Sequence, residues 1–494
     1  MRKHKTLGQV YTPDWIVNRI LDLAGYTDEK VLGKYIMEPA CGDGAFLTKI
    51  VSRYIYAAEK SGYDNQRIVN DLEEYIYGVE IDEQEYMKAI GNLNQLVSEQ
   101  LGVDIQVKWK ISQANTLHFH TQFAACFDFV VGNPPYIRIH NLDEMTRQYI
   151  KQNFQFSEGT IDIFLCFFEM GLKMLKPTGT LGYITPNSYL HNNSYKDFRT
   201  YLKENRYLHT LTDFKANKVF KGFSTYTAIT VMQKGNENNN FEYYELVKGE
   251  IKKLNEIYFD ALNQKDWSFT DKENEKFIES VKQNSSAHVK DYFNVQYGFA
   301  TLRDKIFIGS VNAHDENLVI FNGEPVEKEI LKKIIKASTY KGDLSCVNYV
   351  LFPYRKVNER FEPIPEPVLA EEFPNAYAYL KLHQEELLKR DTDKGAHWYE
   401  FGRSQGIQSM HEEKIVCSTL INGNVSCYKL PADILVYSGI FIVKKNAEAQ
   451  WEWVENVLKS DDFYKFIRIS GKDFSGGYKS ITSKQIKEFK LITE

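Results

Sequence analysis

Residues 34–46, KYIMEPACGDGAF, place a short apolar run directly before a glycine-rich turn. We expect KYIMEP (34–39) to form a strand, the glycines to make the turn, and a long helix to follow near 45–60. Glycines allow a tight turn and close approach of the backbone to a ligand, and a helix N-terminus favours negative charge. The pattern is typical of nucleotide-binding α/β folds, although a purely structural turn has the same sequence.

Outward from this stretch, the first half of the chain alternates predicted strands with predicted helices. DWIVNRILDLA (14–24) has helical spacing, with Pro13 in its first turn and Thr12 as its cap. Other strands are expected in EEYIYGVEID (73–82), DIQVKWKISQANTL, CFDFVVGNPPY, LGYITP and STYTAITVMQKG (224–235), with helices at 83–100 and 161–175. This alternation indicates a doubly wound, mostly parallel α/β sheet.

The length of 494 residues predicts two or three domains. One further strand and one further helix are expected in 241–290, so we place the boundary at 285, within QNSSAH. Residues 286–494 have short aromatic runs and the proline cluster EPIPEPVLAEEFP, and they predict a second α/β domain.

Composition excludes several classes of protein. Lys plus Arg is 61 against 66 for Asp plus Glu, so a nucleic-acid partner would need a local positive surface. The six cysteines form no C-x-x-C pair, which argues for free thiols in a reducing compartment and against a zinc site or a disulfide framework. We expect no metal-binding residues. No apolar run reaches about 18 residues and no apolar segment follows the charged N-terminus, so we expect no membrane span, no signal peptide and a cytoplasmic location.

Polar residues follow three predicted strands. Glu38 precedes the glycine turn, Glu80 ends the next strand, and Asn115 follows the third. A carboxylate at such a position accepts both hydroxyls of a ribose, and the Asn115 amide can meet an adenine amino group. Glu80 lies further from the glycines than the roughly 20 residues of a dinucleotide fingerprint, and we expect SGYDNQ to extend the intervening helix. The carboxyl ends of parallel strands meet at one edge, which predicts a nucleotide site there.

The fourth strand ends in GNPPY (132–136), at the same edge. Prolines stop a strand, so this turn offers the side-chain oxygen of Asn133, the backbone carbonyl of Pro134 and the ring of Tyr136. A ring-conjugated exocyclic amine is a poor nucleophile because its lone pair is delocalised. Two acceptors off the ring plane would localise that lone pair while the aromatic ring held the base, which is catalysis by orientation and electrostatics.

These residues resemble the gamma-class (TaqI-like) adenine-N6 DNA methyltransferases of type II restriction–modification systems, which use S-adenosylmethionine. The resemblance covers nearly all of the first domain, in the order of the family. The matching segments are GQVYTP (8–13), EPACGDGAF, YGVEID, QANTL, GNPPY, DIFLCFFE and VFKGFSTYTAITV. Many members of the family carry Asp where this chain has Asn115.

The resemblance implies a seven-stranded methyltransferase sheet in a catalytic domain, 1–285, and DNA target recognition by 286–494. It implies catalysis by Asn133, Pro134 and Tyr136 on a flipped adenine of double-stranded DNA. Phe220 is the best match for the aromatic residue that closes on that base, with Phe223 and Tyr226 as competitors. The implied cofactor-binding residues are Thr12, Glu38, Pro39, Ala40, Gly42, Glu80, Ile81, Asn115 and Phe167.

In the second domain, two stretches mix aromatic, cationic and glycine residues: GAHWYEFGRSQG (395–406) and GKDFSGGYKSITSKQIK (471–487). Arg403 and Gln405 suit base edges in the major groove, and Lys472 and Lys479 suit phosphates. The same residue types also occur in ordinary cores and on solvated faces.

Two other functions fit parts of the sequence. NPPY also occurs in enzymes that methylate glutamine in proteins or guanine in RNA, and a DNA-specificity subunit without turnover would share the second domain. The intact NPPY and ribose acid favour the DNA methyltransferase. The chain shows no P-D and D/E-x-K array before the cofactor motif, so we expect a separate restriction endonuclease. We also expect the protein to be a monomer.

Overall fold

The computed structural model describes residues 11–102, 106–157, 162–220, 225–263, 267–283, 287–313, 315–344 and 347–492. The start of the GQVYTP segment, Phe223 and the predicted boundary at 285 lie outside these ranges. The chain separates into two compact units, Met1–Lys272 and Glu273–Glu494, so the division comes earlier in the chain than the sequence suggested. No helix in the described ranges is long and apolar enough to cross a bilayer.

A single mixed sheet organises the first unit. Its described strands have the order β3-β2-β1-β4-β5-β7-β6-β8-β9. Their bounds are β1 Ile36–Glu38, β2 Ile76–Glu80, β3 Lys110–Gln113, β4 Phe127–Gly132, β5 Leu175–Pro186, β6 Leu208–Asp213, β7 Thr227–Gln233, β8 Asn240–Val247 and β9 Glu250–Tyr258.

Parallel pairing joins β1 to β2 and β4, β2 to β3, and β4 to β5. Strand β7 is antiparallel to both β5 and β6. The predicted mostly parallel α/β sheet is therefore confirmed. The predicted strand count of seven is wrong, because β8 pairs with β6 and forms an antiparallel pair with β9 that extends the sheet to nine strands. Two strands thus occupy 241–258, where the sequence analysis expected one.

Helices surround this sheet. Those of the first unit are α1 Asp14–Ala24, α2 Ala45–Lys60, α3 Asn65–Tyr75, α4 Glu83–Leu101, α5 Thr116–Phe119, α6 Glu144–Asn153, α7 Phe164–Met174, α8 Ser188–His191, α9 Lys196–Glu204 and the start of α10 Lys272–Gln283. The long spacing to Glu80 arises from a separate helix, α3, and the prediction that SGYDNQ extends one helix is wrong.

The two faces of the sheet bury different side chains. In β1, Ile36 packs in one apolar cluster with α1 to α4, whereas Met37 packs in another with α6, α7 and α9. In β4, Val131 packs in the cluster of Ile36, whereas Val130 packs in the cluster of Met37. Successive side chains of a strand point to opposite faces, so helices cover both faces, as a doubly wound fold requires.

The second unit contains several smaller sheets. Its strands are β10 Phe293–Tyr297, β11 Ile308–Gly309, β12 Val311–Ala313, β13 Leu318–Phe321, β14 Glu324–Glu327, β15 Leu331–Lys336, β16 Asn348–Leu351, β17 Tyr354–Val357, β18 Arg360–Pro363, β19 Lys414–Cys417, β20 Leu420–Ile421, β21 Cys427–Leu430, β22 Ile434–Tyr437, β23 Ile440–Lys444, β24 Asp473–Phe474 and β25 Tyr478–Ser480. They pair in the orders β10-β23-β19-β21, β11-β16-β15-β22, β12-β13-β14, β17-β18 and β20-β25-β24.

Helices complete the second unit, which is α/β as predicted. They are α11 Val289–Tyr292, α12 Asp304–Phe307, α13 Glu366–Glu372, α14 Pro374–Leu382, α15 Gln384–Leu388, α16 Trp451–Lys459, α17 Asp461–Ser470 and α18 Ser483–Glu488.

Candidate active site

The carboxyl ends of β1, β2 and β4 open onto one cavity of about 320 Å³ in the first unit. The glycine turn between β1 and α2 forms one wall, with Gly42 and Gly44 at φ +53° and +88°. These left-handed conformations favour glycine, and Gly44 also lacks room for a side chain because a Cβ would lie 3.3 Å from Ala89. The turn is tied to the sheet by the Cys41 N–H, which donates to the Val79 carbonyl.

Most of the predicted site residues line this cavity. They are Thr12, Glu38, Pro39, Ala40, Gly42, Glu80, Ile81, Asn115, Asn133, Pro134 and Phe167. They come from six separate segments of the chain. Their common location is the geometric basis of the site.

Glu80 is fixed before any ligand arrives. One carboxylate oxygen accepts from the Gly42 N–H and the other from the Asp82 N–H, both at 2.8 Å. Burial raises the pKa of Glu80 even though these amides favour its ionised form. Each carboxylate oxygen has a second lone pair, so the two oxygens can still accept hydrogen bonds from two hydroxyl groups.

Glu38 is buried at the same wall, and its Oε2 has no hydrogen-bond partner. Burial raises the pKa of this carboxyl well above its usual range, with smaller contributions from the charges of Asp43 and Glu80. An unpartnered buried carboxylate oxygen is costly, and burial therefore favours the neutral, protonated form of this carboxyl.

Thr12 and Asn133 meet across the cavity. The Asn133 side-chain nitrogen donates to the Thr12 hydroxyl at 3.0 Å. The predicted helix cap at Thr12 is wrong, because α1 begins after Pro13 and has no side-chain cap, whereas the Thr12 hydroxyl accepts from the Asn133 amide. The N-terminal segment therefore orients the NPPY turn.

Asn115 has a structural contact as well as a place in the cavity. Its side-chain oxygen accepts from the Leu117 N–H at 3.1 Å and caps α5. A contact between the same oxygen and an adenine amino group would share that oxygen with the cap.

Tyr136 and Phe220 lie beside the cavity lining and contact each other. Their ring centroids are 6.3 Å apart and the rings meet edge to face at 71°. Phe220 is buried, and the Tyr136 hydroxyl donates to the Ile184 carbonyl at 3.4 Å. The two aromatic residues expected to contact a flipped base are thus neighbours, and their rings pack against each other beside the NPPY turn.

The comparisons with known proteins agree with this site. Residues 74–220 match the Eco57I restriction-modification methylase family, a range that contains Glu80 and the NPPY turn. The type II restriction enzyme and methyltransferase RM.Eco57I of Escherichia coli is 27% identical over 393 residues, covering 71% of this chain and 39% of that protein. By sequence, this chain is similar to restriction–modification methyltransferases.

Other relatives extend the likeness into the second unit. The type II methyltransferase M.BstVI of Geobacillus stearothermophilus is 24% identical over 454 residues, covering 84% of this chain and 78% of that protein. The structure of the type IIL restriction–modification enzyme MmeI in complex with DNA superposes with a TM-score of 0.61 at 13% identity, covering 96% of this chain and 64% of that one. That structural likeness concerns the fold. The chain spans only 39% of the length of RM.Eco57I.

The four residues predicted to contact DNA lie in the second unit, and three of them have internal partners. Arg403 forms an ion pair with Asp391 at 2.9 Å, Lys479 forms one with Asp473 at 2.7 Å, and the Gln405 amide donates to the Gly298 carbonyl at 3.2 Å. Lys472 is exposed. DNA contact by these residues stays a prediction.

The cavity also contains residues that the sequence analysis did not select. They are Tyr11, Asp43, Glu85, Asp143 and Thr146, among others. Asp43 lies inside the glycine turn, so its position in the sequence could have indicated that it lines the cavity. Glu85 lies shortly after Glu80, in the first turn of the next helix. Acidic residues are common in the first turn of a helix, so its sequence position gave no separate signal.

Proposed function

We propose that this chain is a site-specific DNA methyltransferase that transfers the methyl group of S-adenosylmethionine to the N6 amine of an adenine. It would act in the cytoplasm as the modification partner of a restriction endonuclease. The observation that carries the proposal is the single cavity shared by Glu80, Glu38 and the NPPY turn. The match to a restriction-modification methylase family and the type II relatives support it.

The residues of the cavity fit this cofactor. Glu80 is preset by two amides to accept a ribose diol, and Glu38 lines the same cavity beside the glycine turn. Thr12, Pro39, Ala40 and Gly42 would hold the amino-acid arm, and Ile81, Asn115 and Phe167 would hold the adenine ring. When bound, S-adenosylmethionine supplies a methyl group on a positively charged sulfur.

The NPPY turn performs the positional part of the chemistry. The side-chain oxygen of Asn133 and the carbonyl of Pro134 accept the two hydrogens of the target amine, which localises its lone pair for attack. The hydrogen bond to Thr12 fixes the plane of the Asn133 amide before the substrate binds. The extra proton leaves the methylated nitrogen afterwards, so the reaction needs no strong general base.

A target adenine inside a duplex cannot reach this turn, so it must be flipped out at a cost of a few kcal/mol. Stacking on Tyr136, with Phe220 closing on the base, would repay part of that cost. The two rings now contact each other edge to face, so admitting a flat base between them requires this contact to open. The second unit would select the DNA sequence.

Radioactive methyl transfer tests the proposal directly. Equal amounts of duplex DNA, RNA and a glutamine-containing protein substrate are incubated with the enzyme and tritiated S-adenosylmethionine. We expect label in DNA alone, and we expect Asn133→Ala to abolish it while cofactor binding persists. Label in RNA or protein, or full DNA methylation by the variant, would overturn the assignment.

A further inference from the structure

The small sheet β20-β25-β24 of the second unit has two unlike faces. Phe474 and Tyr478 are direct partners across the β24–β25 hairpin, and Leu420 lies opposite Ser480 on the next strand. Residues that are paired across strands, or are two apart along one strand, share a face of a sheet. Leu420, Phe474 and Tyr478 therefore form one face, the open face, and their exposed fractions are 39%, 42% and 44%.

The opposite face of the same strands is the covered one. Ile421 lies on this face and is buried in an apolar cluster of the unit. Asp473 and Lys479 are partners on this face and form an ion pair at 2.7 Å, with only 22% and 19% of their side chains exposed. An antiparallel sheet with one solvated face usually turns its apolar side chains to the core. Here two aromatic rings and a leucine lie on the solvated face instead, which indicates an interaction surface.

Positive charge accompanies the open face. The Lys472 carbonyl accepts from the Ser480 N–H, so Lys472 continues β24 and its side chain lies on the same face as Phe474. Lys472 is exposed, and its ammonium forms no ion pair within the described part of the chain. Residues 463–487 contain one acid, Asp473, in a chain whose net charge is −5. The cations of the same segment are Lys465, Arg468, Lys472, Lys479, Lys484 and Lys487.

A DNA duplex fits this combination of groups. Phosphates are attracted by a cluster of cations, and the bases and sugars supply apolar surface for aromatic and leucine side chains. Gly476 and Gly477 form the tip of the hairpin at φ +79° and +77°, and without side chains they leave room for the close approach of a strand. A protein partner would also cover an apolar face, but it would not account for the one-sided charge of 463–487.

We propose that the open face packs against duplex DNA, with Lys472 on an adjacent phosphate. This inference rests on the proposed function and assigns part of the DNA contact of the second unit to Leu420, Phe474 and Tyr478. It also separates the two lysines of the hairpin. Lys479 is paired with Asp473 on the covered face, whereas Lys472 lies on the face that meets the DNA.

Salt dependence separates an apolar contact from an ionic one. Binding of the full chain to a duplex that the wild type methylates is measured by fluorescence anisotropy at several salt concentrations. The test variant carries both Phe474→Ala and Tyr478→Ala, and Tyr478→Phe alone keeps the ring. The matched control is Leu382→Ala, which removes an apolar side chain that is 72% exposed on α14 of the same unit.

We expect the double variant to bind the duplex roughly tenfold or more weakly, because two aromatic contacts are lost. The slope of log K against log salt should stay that of the wild type, because no charge is removed. Tyr478→Phe and Leu382→Ala should stay within about twofold of the wild-type affinity. Melting temperatures equal to that of the wild type exclude unfolding as the cause of the loss.

Wild-type affinity in the double variant, or an equal loss in Leu382→Ala, would overturn the DNA contact. So would a wild type that self-associates and a double variant that is monomeric with unchanged DNA affinity, since the open face would then join two copies of the chain. A wild type that neither binds nor methylates duplex DNA would overturn the proposed function as well.

Discussion

The side-chain nitrogen of Asn133 donates to the hydroxyl of Thr12 at 3.0 Å, although the two residues lie far apart in the sequence. An amide held by one edge presents its other edge in a fixed direction. The N-terminal segment thereby sets the geometry of the turn on which our mechanism depends.

Replacing Thr12 with valine removes this hydrogen bond at nearly constant volume. We expect the rate of methyl transfer to fall about tenfold or more, because the hydrogen bond that holds the Asn133 amide plane is lost. Single turnovers at saturating S-adenosylmethionine measure this rate without interference from changed affinity. Thr12→Ser keeps the hydroxyl and should retain most of the rate, and equal rates for the two variants would refute the positioning role.

Glu38 should make the stability of the ligand-free protein depend on pH. Burial raises its pKa in the folded state above the unfolded value near 4.3, so the folded state binds more protons above that pH. The free energy of unfolding should therefore fall as pH rises from about 4.3 through the raised pKa, by at most about 1.4 kcal/mol per pH unit from this group. Urea unfolding at several pH values measures the slope, and Glu38→Gln should flatten it. An unchanged slope in the variant would contradict the buried titration.

The contact between Tyr136 and Phe220 predicts how the flipped base is held. Tyr136→Phe should keep methyl transfer close to wild type, because the ring remains and the hydroxyl makes only a 3.4 Å contact with the Ile184 carbonyl. Tyr136→Ala should slow it by about tenfold to a hundredfold through lost stacking, worth roughly 1–3 kcal/mol per base.

Phe220→Ala addresses the open choice among three aromatic residues. With 2-aminopurine at the target position, we expect the fluorescence of the flipped base to change in Phe220→Ala and to remain as in the wild type in Phe223→Ala and Tyr226→Ala. A change confined to either of the latter two would move the assignment to that residue.

Lys472 offers a test of DNA contact by the second unit. Because it is exposed, Lys472→Ala should weaken binding to cognate and random duplexes alike and reduce the slope of log K against log salt by about 0.9. Lys290→Ala, at another exposed position of the same unit, is the control and should leave the slope unchanged. Identical slopes for all three proteins would remove Lys472 from the interface.

The sequence predicted much of the site because its signals are local. A strand followed by glycines, an acid or a proline pair places each residue at a strand end, and parallel strands bring those ends to one edge. Glu80, Asn115 and Asn133 were found in this way and line the same cavity. The sequence analysis missed the separate helix α3 and the β8–β9 pair. The spacing of apolar residues indicates the type of an element better than the residues at which it begins and ends.

Contacts between distant segments could not be predicted in the same way. Thr12 has the sequence context of a helix cap, and only the folded chain shows its hydroxyl beside Asn133. Asn115 combines a cap with a place in the cavity. In the second unit, ion pairs such as Arg403 with Asp391 depend on loop packing that residue types alone do not specify.

The central claim is that the NPPY turn directs a methyl group to an exocyclic amine of a DNA base. The most direct test is mass spectrometry of nucleosides from duplex DNA methylated by the wild type and by Asn133→Ala. Our account predicts N6-methyladenine from the wild type and none above background from the variant. Methylation on a ring carbon, or undiminished N6-methyladenine from Asn133→Ala, would contradict it.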